Sequence, residues 1–179
     1  DIGPVTYDGT AHCPEPEVRD GDILLVKGVD YSLSYAANTN VGTATVTVAG
    51  KGNYSGTQDT TFIINKAALA VTPDAGQSKV FGTLDPVLTY TFTGAVEGET
   101  PALTGSLLRA EGEAAGNYAI AQGSLALADN GAFLATNYIL VFTEDVIFTI
   151  SAKDASTLTI EDIGPVTYDG TAHCPEPEV

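Results

Sequence analysis

Asp30-Tyr31-Ser32-Leu33-Ser34-Tyr35, a turn at Asn38-Thr39-Asn40, then Gly42-Thr43-Ala44-Thr45-Val46-Thr47-Val48: this stretch decides the fold class. In its first arm Tyr31, Leu33 and Tyr35 alternate with polar residues. In its second, Ala44, Val46 and Val48 alternate with Thr43, Thr45 and Thr47. A period of two puts one set on a buried face and the other in water, the mark of a half-buried β-strand. Val and Thr, branched at Cβ, fit that pleated surface.

Working outward, every element is short and extended. Residues 3–9 read as an extended piece stopped by the Asp8-Gly9 turn. Cys13-Pro14-Glu15-Pro16-Glu17-Val18 carries two prolines and suits an edge or irregular segment. Asp20-Gly21-Asp22 predicts a tight hairpin turn between arms at 15–19 and 23–26. Residues 51–56 read as a loop and 60–64 as a closing strand. Further on, Leu69 and Val71 open a strand, 78–86 reads as a polar loop, and 88–93 alternates. Residues 94–101 form a loop, and 103–109, 117–127, 137–142 and 146–150 are strands. Helical periodicity is missing throughout. Turns about every 8–12 residues are the spacing of sandwiches and small barrels. The expectation is an all-β chain: two small Ig-like β-sandwich modules in tandem, 1–65 and 66–152, with negligible helix. A β-grasp-like arrangement is the alternative.

Composition narrows the function. Asp plus Glu number 23 against 7 Lys plus Arg, a net charge of −16. Nucleic acid and anionic membrane surfaces call for a basic footprint, so neither is an expected partner. A hydrophobic content of 44% supports real cores. No apolar run approaches the roughly 20 residues of a membrane span. Met is absent, which makes a fragment of a longer protein the expectation.

One segment occurs twice. Asp-Ile-Gly-Pro-Val-Thr-Tyr-Asp-Gly-Thr-Ala-His-Cys-Pro-Glu-Pro-Glu-Val fills residues 1–18 and returns unchanged at 162–179. Chance does not produce such an identity, so the chain holds one period of a tandem array and the start of the next. Residues 153–179 are then the opening strands of the next copy, and the 1–65 module lacks its own first strand. Each period carries one cysteine, Cys13 and Cys174. That is no intradomain disulfide framework; a cross-link or contact between repeats is the functional expectation for both thiols. Leu158 and Ile160 alternate with Thr, and with Val166 and Tyr168 they form the segment expected to exchange strands with a neighbour. Both modules end on Phe-x-Ile (Phe62 to Ile64, Phe148 to Ile150) followed by a Lys-containing joint. Without Gly/Ser linkers, such joints predict a stiff array.

These residues resemble a pair of bacterial surface repeats. Tyr7-Asp8-Gly9-Thr10-Ala11, the 30–35 and 38–46 arms, and Gly50-Lys51-Gly52-Asn53-Tyr54-Ser55-Gly56 are similar to the YDG-type repeat of bacterial Ig-like adhesin arrays. Val80-Phe81-Gly82-Thr83-Leu84-Asp85-Pro86, Leu88-Thr89-Tyr90, Gly105-Ser106-Leu107-Leu108-Arg109 and Gly116-Asn117-Tyr118-Ala119-Ile120 resemble the companion MBG-type domain. Cys13 departs from the YDG pattern. The resemblance implies modules stacked in large extracellular or cell-surface proteins as stalks and spacers, without catalytic residues. Neighbouring repeats are the implied partners.

Other chemistry finds thin support. Asp20-Gly21-Asp22 lacks the further ligands of a calcium loop. The acidic loops with Glu97, Glu99, Glu111 and Glu113 leave calcium as a minor alternative to no cofactor. His12 has neither metal spacing nor a nucleophile elbow around it, so no enzyme is expected. Tyr54 and Tyr118 are the residues that would stack on a host glycan, and a protein ligand is the related alternative. Lys66 and Lys79 are the candidates for an isopeptide cross-link. Strand addition through the duplicated end predicts a homo-oligomer.

Overall fold

A computed structural model describes residues 2–162, 164–165 and 167–171. The first half holds β1 (Val5–Thr6), β2 (Arg19–Asp20), β3 (Ile23–Leu24), β4 (Tyr31–Ala36), β5 (Gly42–Gly50) and β6 (Thr57–Asn65). The second holds β7 (Ala67–Pro73), β8 (Ser78–Val80), β9 (Tyr90–Thr93), β10 (Ala102–Thr104), β11 (Leu108–Arg109), β12 (Gly116–Ala121), β13 (Ala126–Ala128), β14 (Tyr138–Phe142) and β15 (Ile147–Ser151). The only helical pieces among the described residues are 3-10 turns at Ala135–Asn137 and Ala155–Thr157. The chain is all-β, as its alternation predicts.

The 31–48 stretch forms the expected antiparallel pair. Tyr35 faces Val46 and Leu33 faces Val48, so both apolar rows share one side. Ala44 and Val46 are completely buried there, and Tyr31 is buried beside them. β6 then pairs with β5, placing Phe62 opposite Ala44 on the same face. β1 adds to the far edge of β6, running parallel to it, which gives the order β1-β6-β5-β4.

The second half builds the same sheet. β8 runs parallel to β15, β15 is antiparallel to β12, and β12 to β11. The residue after the parallel edge strand is Tyr7 in one half and Phe81 in the other. Its amide donates to Asn65 O at 2.9 Å in the first and to Ser151 O at 2.8 Å in the second. Phe62 and Ile64 on β6 correspond to Phe148 and Ile150 on β15, all four buried. The shared Phe-x-Ile ending is therefore the trace of a shared sheet, with its first strand parallel to its last.

Two segments differ from their sequence reading. Residues 78–86 are not all loop, because Ser78–Val80 joins the sheet and buries Lys79. The lysine looks exposed in sequence, but carboxylates wait for it in the fold. The strand expected at 103–109 breaks at Gly105, and that at 117–127 breaks at Gly123. The two glycines meet at one corner. A Cβ on Gly105 (φ 81°) would lie 2.2 Å from Ser124 O, and one on Gly123 (φ 59°) would lie 2.6 Å from Ser106 O. Only glycine permits that crossing. Beyond the corner the ribbon continues as a separate β10–β13 pair.

The sheet β14-β7-β9 packs residues into the cores of both four-stranded sheets. β7 runs through both cores: Ala67 and Leu69 pack into the first cluster, and Val71 into the second. The first cluster joins Tyr7, Ala44, Val46, Phe62 and Ile64 to Phe133 and Tyr138 of the second half. The two halves thus share a core instead of hanging from a tether.

Candidate functional site

Among the described residues, the joint between the halves gathers a dense set of polar and aromatic contacts. Lys66 alone separates β6 from β7, so the sheets leave each other without slack. Tyr7, set down at the end of β1, points its ring at Tyr138 at the start of β14. The centroids are 5.6 Å apart and the planes 79° to each other, a favoured edge-on contact. Phe133 stacks on the other side of Tyr138 at 4.5 Å. Burial of Phe133, Tyr138, Ala67 and Leu69 in this cluster is worth roughly 5–10 kcal/mol at its upper limit.

Glu99 completes the lock. Its carboxylate accepts the Tyr7 hydroxyl through Oε1 and the Tyr138 hydroxyl through Oε2, the latter at 2.7 Å. Tyr138 Oη also accepts the Val96 amide at 3.1 Å. Burial, then the bond to Glu99, raises the Tyr7 phenol. Burial foremost, with Glu99 adding to it, pushes Tyr138 up to about 12. Both phenols stay protonated and donating across the physiological range. Beside them the buried Asn137 accepts the Val41 amide through Oδ1 at 3.0 Å and donates through Nδ2 to Asn40 Oδ1 at 3.0 Å. Gly9 (φ 79°) lies against Val96, where a Cβ would come within 2.7 Å of Val96 Cγ1. Tyr7 and Gly9, the ends of the Tyr-Asp-Gly motif, are thus contact residues of the joint, and Asp8 makes the turn. Its Oδ1 accepts the Thr10 amide at 2.9 Å and the Thr10 hydroxyl at 2.7 Å.

A second cluster lies in the second half. Lys79 Nζ meets Asp85 Oδ1 at 2.6 Å and Glu113 Oε2 at 2.5 Å. Arg109 Nε donates to Asp85 Oδ2 at 2.8 Å and Nη1 to Gly112 O at 2.6 Å. The guanidinium lies 5.2 Å from the Tyr118 ring centroid. Arg109 first, then Lys79, holds the Asp85 carboxyl below its usual range, and Asp85 then Glu113 raise Lys79. A lysine held as a cation is the wrong form for isopeptide attack, which starts from the neutral amine. At the position of Arg109 the first half has Tyr35, whose hydroxyl donates to Pro14 O at 2.9 Å. The same strand site thus braces the segment after the turn in both halves, by charge in one and by a neutral bond in the other.

The residues singled out from the sequence lie elsewhere. Cys13 is an exposed free thiol, with Asn38 Nδ2 3.6 Å from its sulfur. Cys174 and Val166 lie outside the described residues. Leu158, Ile160 and Tyr168 are 61%, 93% and 90% exposed. They belong to no strand in the described structure. Of the acidic loops, Glu99 and Glu113 are engaged by tyrosine and by Lys79 and Arg109. Among the described residues no three His, Cys, Asp or Glu side chains converge as a metal site. The Tyr54 hydroxyl donates to Asp20 Oδ2 at 3.3 Å, and that of Tyr118 to Ala114 O at 2.7 Å.

Sequence reasoning missed Glu99 and Asn137 as joint residues. Each sits in a segment read as a loop or at a strand end, and each has a partner more than ninety positions away. Comparison with curated proteins and with solved structures found no match. Residues 69–149, from within β7 to within β15, match the family model of the MBG domain (YGX type), and this part of the chain is similar to that family.

Proposed function

We propose that the chain is a non-catalytic structural repeat of a large bacterial surface or secreted protein, acting as a stalk that holds other domains at a distance. The observation that carries this reading is the joint. A spacer must transmit position, and here two modules meet through a shared core with paired tyrosines on one carboxylate. The similarity of residues 69–149 to a domain type found as a repeat module of surface proteins supports an extracellular setting. So does the acidic surface, which keeps a long repetitive protein soluble. No described helix is long and apolar enough to cross a membrane.

A binding module for host glycans or a protein is the competing reading. It calls for open aromatic platforms, whereas Tyr118 carries Arg109 over its ring and Tyr54 is bonded to Asp20. A glycan array with the purified chain separates the two. The stalk reading expects no sugar class above background, and reproducible binding to one class would overturn it. In the parent protein, removal of one period should shorten its reach and leave ligand binding intact.

A further inference from the structure

Tyr168-Asp169-Gly170-Thr171 repeats Tyr7-Asp8-Gly9-Thr10 letter for letter, and it repeats the geometry as well. Asp169 Oδ1 accepts the Thr171 amide at 2.9 Å and its hydroxyl at 2.6 Å. Gly170 has φ 80°, against 79° at Gly9. What differs is the ring: Tyr7 is 6% exposed, whereas Tyr168 is 90% exposed. The turn therefore keeps its local hydrogen bonds without the burial that surrounds Tyr7.

We propose that the 168–171 loop is a preformed docking element, and that its partner is a second copy of this repeat presenting the socket of Asn65, Val96, Glu99 and Tyr138. This rests on the stalk reading and names the contact by which the tail of one chain is held by another. The socket fits this loop chemically. Glu99 supplies an acceptor for a phenol, Tyr138 a ring for edge-on contact, and Val96 a wall that leaves room for glycine but no Cβ two residues on. Upstream, Leu158 and Ile160 are exposed at strand spacing. In the second half, the similarly spaced Leu69 and Val71 precede Phe81 and are completely buried. The tail thus carries both pieces, an apolar strand and a turn, that a module of this kind places at its start.

In one isolated copy the socket is filled by that copy's own Tyr7. The tail of a neighbour offers the same residues as the N-terminal arm, whose ladder to β6 has two pairs, Val5 with Ile64 and Thr6 with Asn65, besides the bonds of Tyr7. Tethering decides between them, with an effective concentration on the order of millimolar. Tyr7→Phe removes the phenol from the arm and leaves Tyr168 whole, which tilts the exchange toward the tail.

Sedimentation velocity across a concentration series tests this with the full chain. The wild type should be monomeric at micromolar concentration. Tyr7→Phe should self-associate at a concentration at least about tenfold lower than the wild type, the ratio that follows from losing one charge-assisted hydrogen bond. The double variant Tyr7→Phe/Tyr168→Phe should return to the wild-type profile. Tyr7→Ala should enhance the association, and circular dichroism on the Phe variant keeps the test valid where the Ala variant unfolds. Equal association of single and double variants, or a Tyr7→Phe chain monomeric across the wild-type range, overturns the docking loop. Neither result touches the shared core, so the stalk reading is judged separately by the glycan array.

Discussion

Replacing Glu99 by Ala should loosen the joint more than its position in a loop would lead one to expect. The side chain accepts from Tyr7 and Tyr138, and the two tyrosines are 6% and 1% exposed. A hydrogen bond to a charged group is worth about 1.5–3 kcal/mol, and an abandoned buried hydroxyl costs about 1–3 kcal/mol. Glu99 is itself half-buried, so its removal also relieves some carboxylate desolvation. The net loss should fall at about 2–4 kcal/mol. For a chain of this size each kcal/mol lowers the melting temperature by about 2–4 °C, so a drop of roughly 5–15 °C is expected by calorimetry. The endotherm should also broaden or split, because the residue couples one half to the other. Glu99→Gln keeps one acceptor and should lose about half as much. Glu97→Ala, at an exposed neighbour, should stay within about 0.5 kcal/mol of wild type. A Glu99→Ala chain that melts with Glu97→Ala would refute the account of the joint.

Four other outcomes follow from the same geometry. Phe133→Ala, which removes a completely buried ring stacked on Tyr138, should cost about 3–5 kcal/mol by urea unfolding; a cost below about 1 kcal/mol would contradict the shared core. Gly105→Ala places a Cβ 2.2 Å from Ser124 O at φ 81° and should destabilise by at least about 2 kcal/mol, whereas Gly21→Ala, with open space around it, should lose less. Tyr138 is raised from 10.0 to about 12, so its contribution is fully present below pH 10 and lost as pH rises toward 12. Stability should therefore fall by about 2–3 kcal/mol over that window, and Tyr138→Phe should flatten the limb. At the other end, Asp85 and Glu113 are lowered from 3.8 and 4.5, so their contribution is present above those values and lost as pH falls below them. Urea midpoints should drop on that limb, less steeply in high salt because both carboxylates are partly exposed; a flat acid limb would discount the cluster.

Much of the fold is legible in the chain because its rules are local. Alternation at 31–35 and 43–48, the Asp20-Gly21-Asp22 turn and the Phe-x-Ile endings each depend on neighbours in sequence, and each forms as read. The 78–86 and 103–109 segments were misread because distant groups decide them. Lys79 is drawn into a strand by Asp85 and Glu113, and Gly105 breaks its strand because Ser124 crosses it. The candidate joint was half legible. The Tyr-Asp-Gly motif marks one side, but nothing near Glu99 or Asn137 announces that each meets a partner some ninety residues away.

The sequence by itself determined that this protein is all-β, acidic and periodic, since period-two patterning, charge and an exact duplication need no partner to be read. Tertiary structure alone decided that the two halves share a core, that both sheets set their first strand parallel to their last, and that one tyrosine copy is buried while its duplicate stands in water. The reason is physical. Burial and long-range hydrogen bonding depend on which surface folds against a residue, and identical residues at 7 and 168 differ only in that.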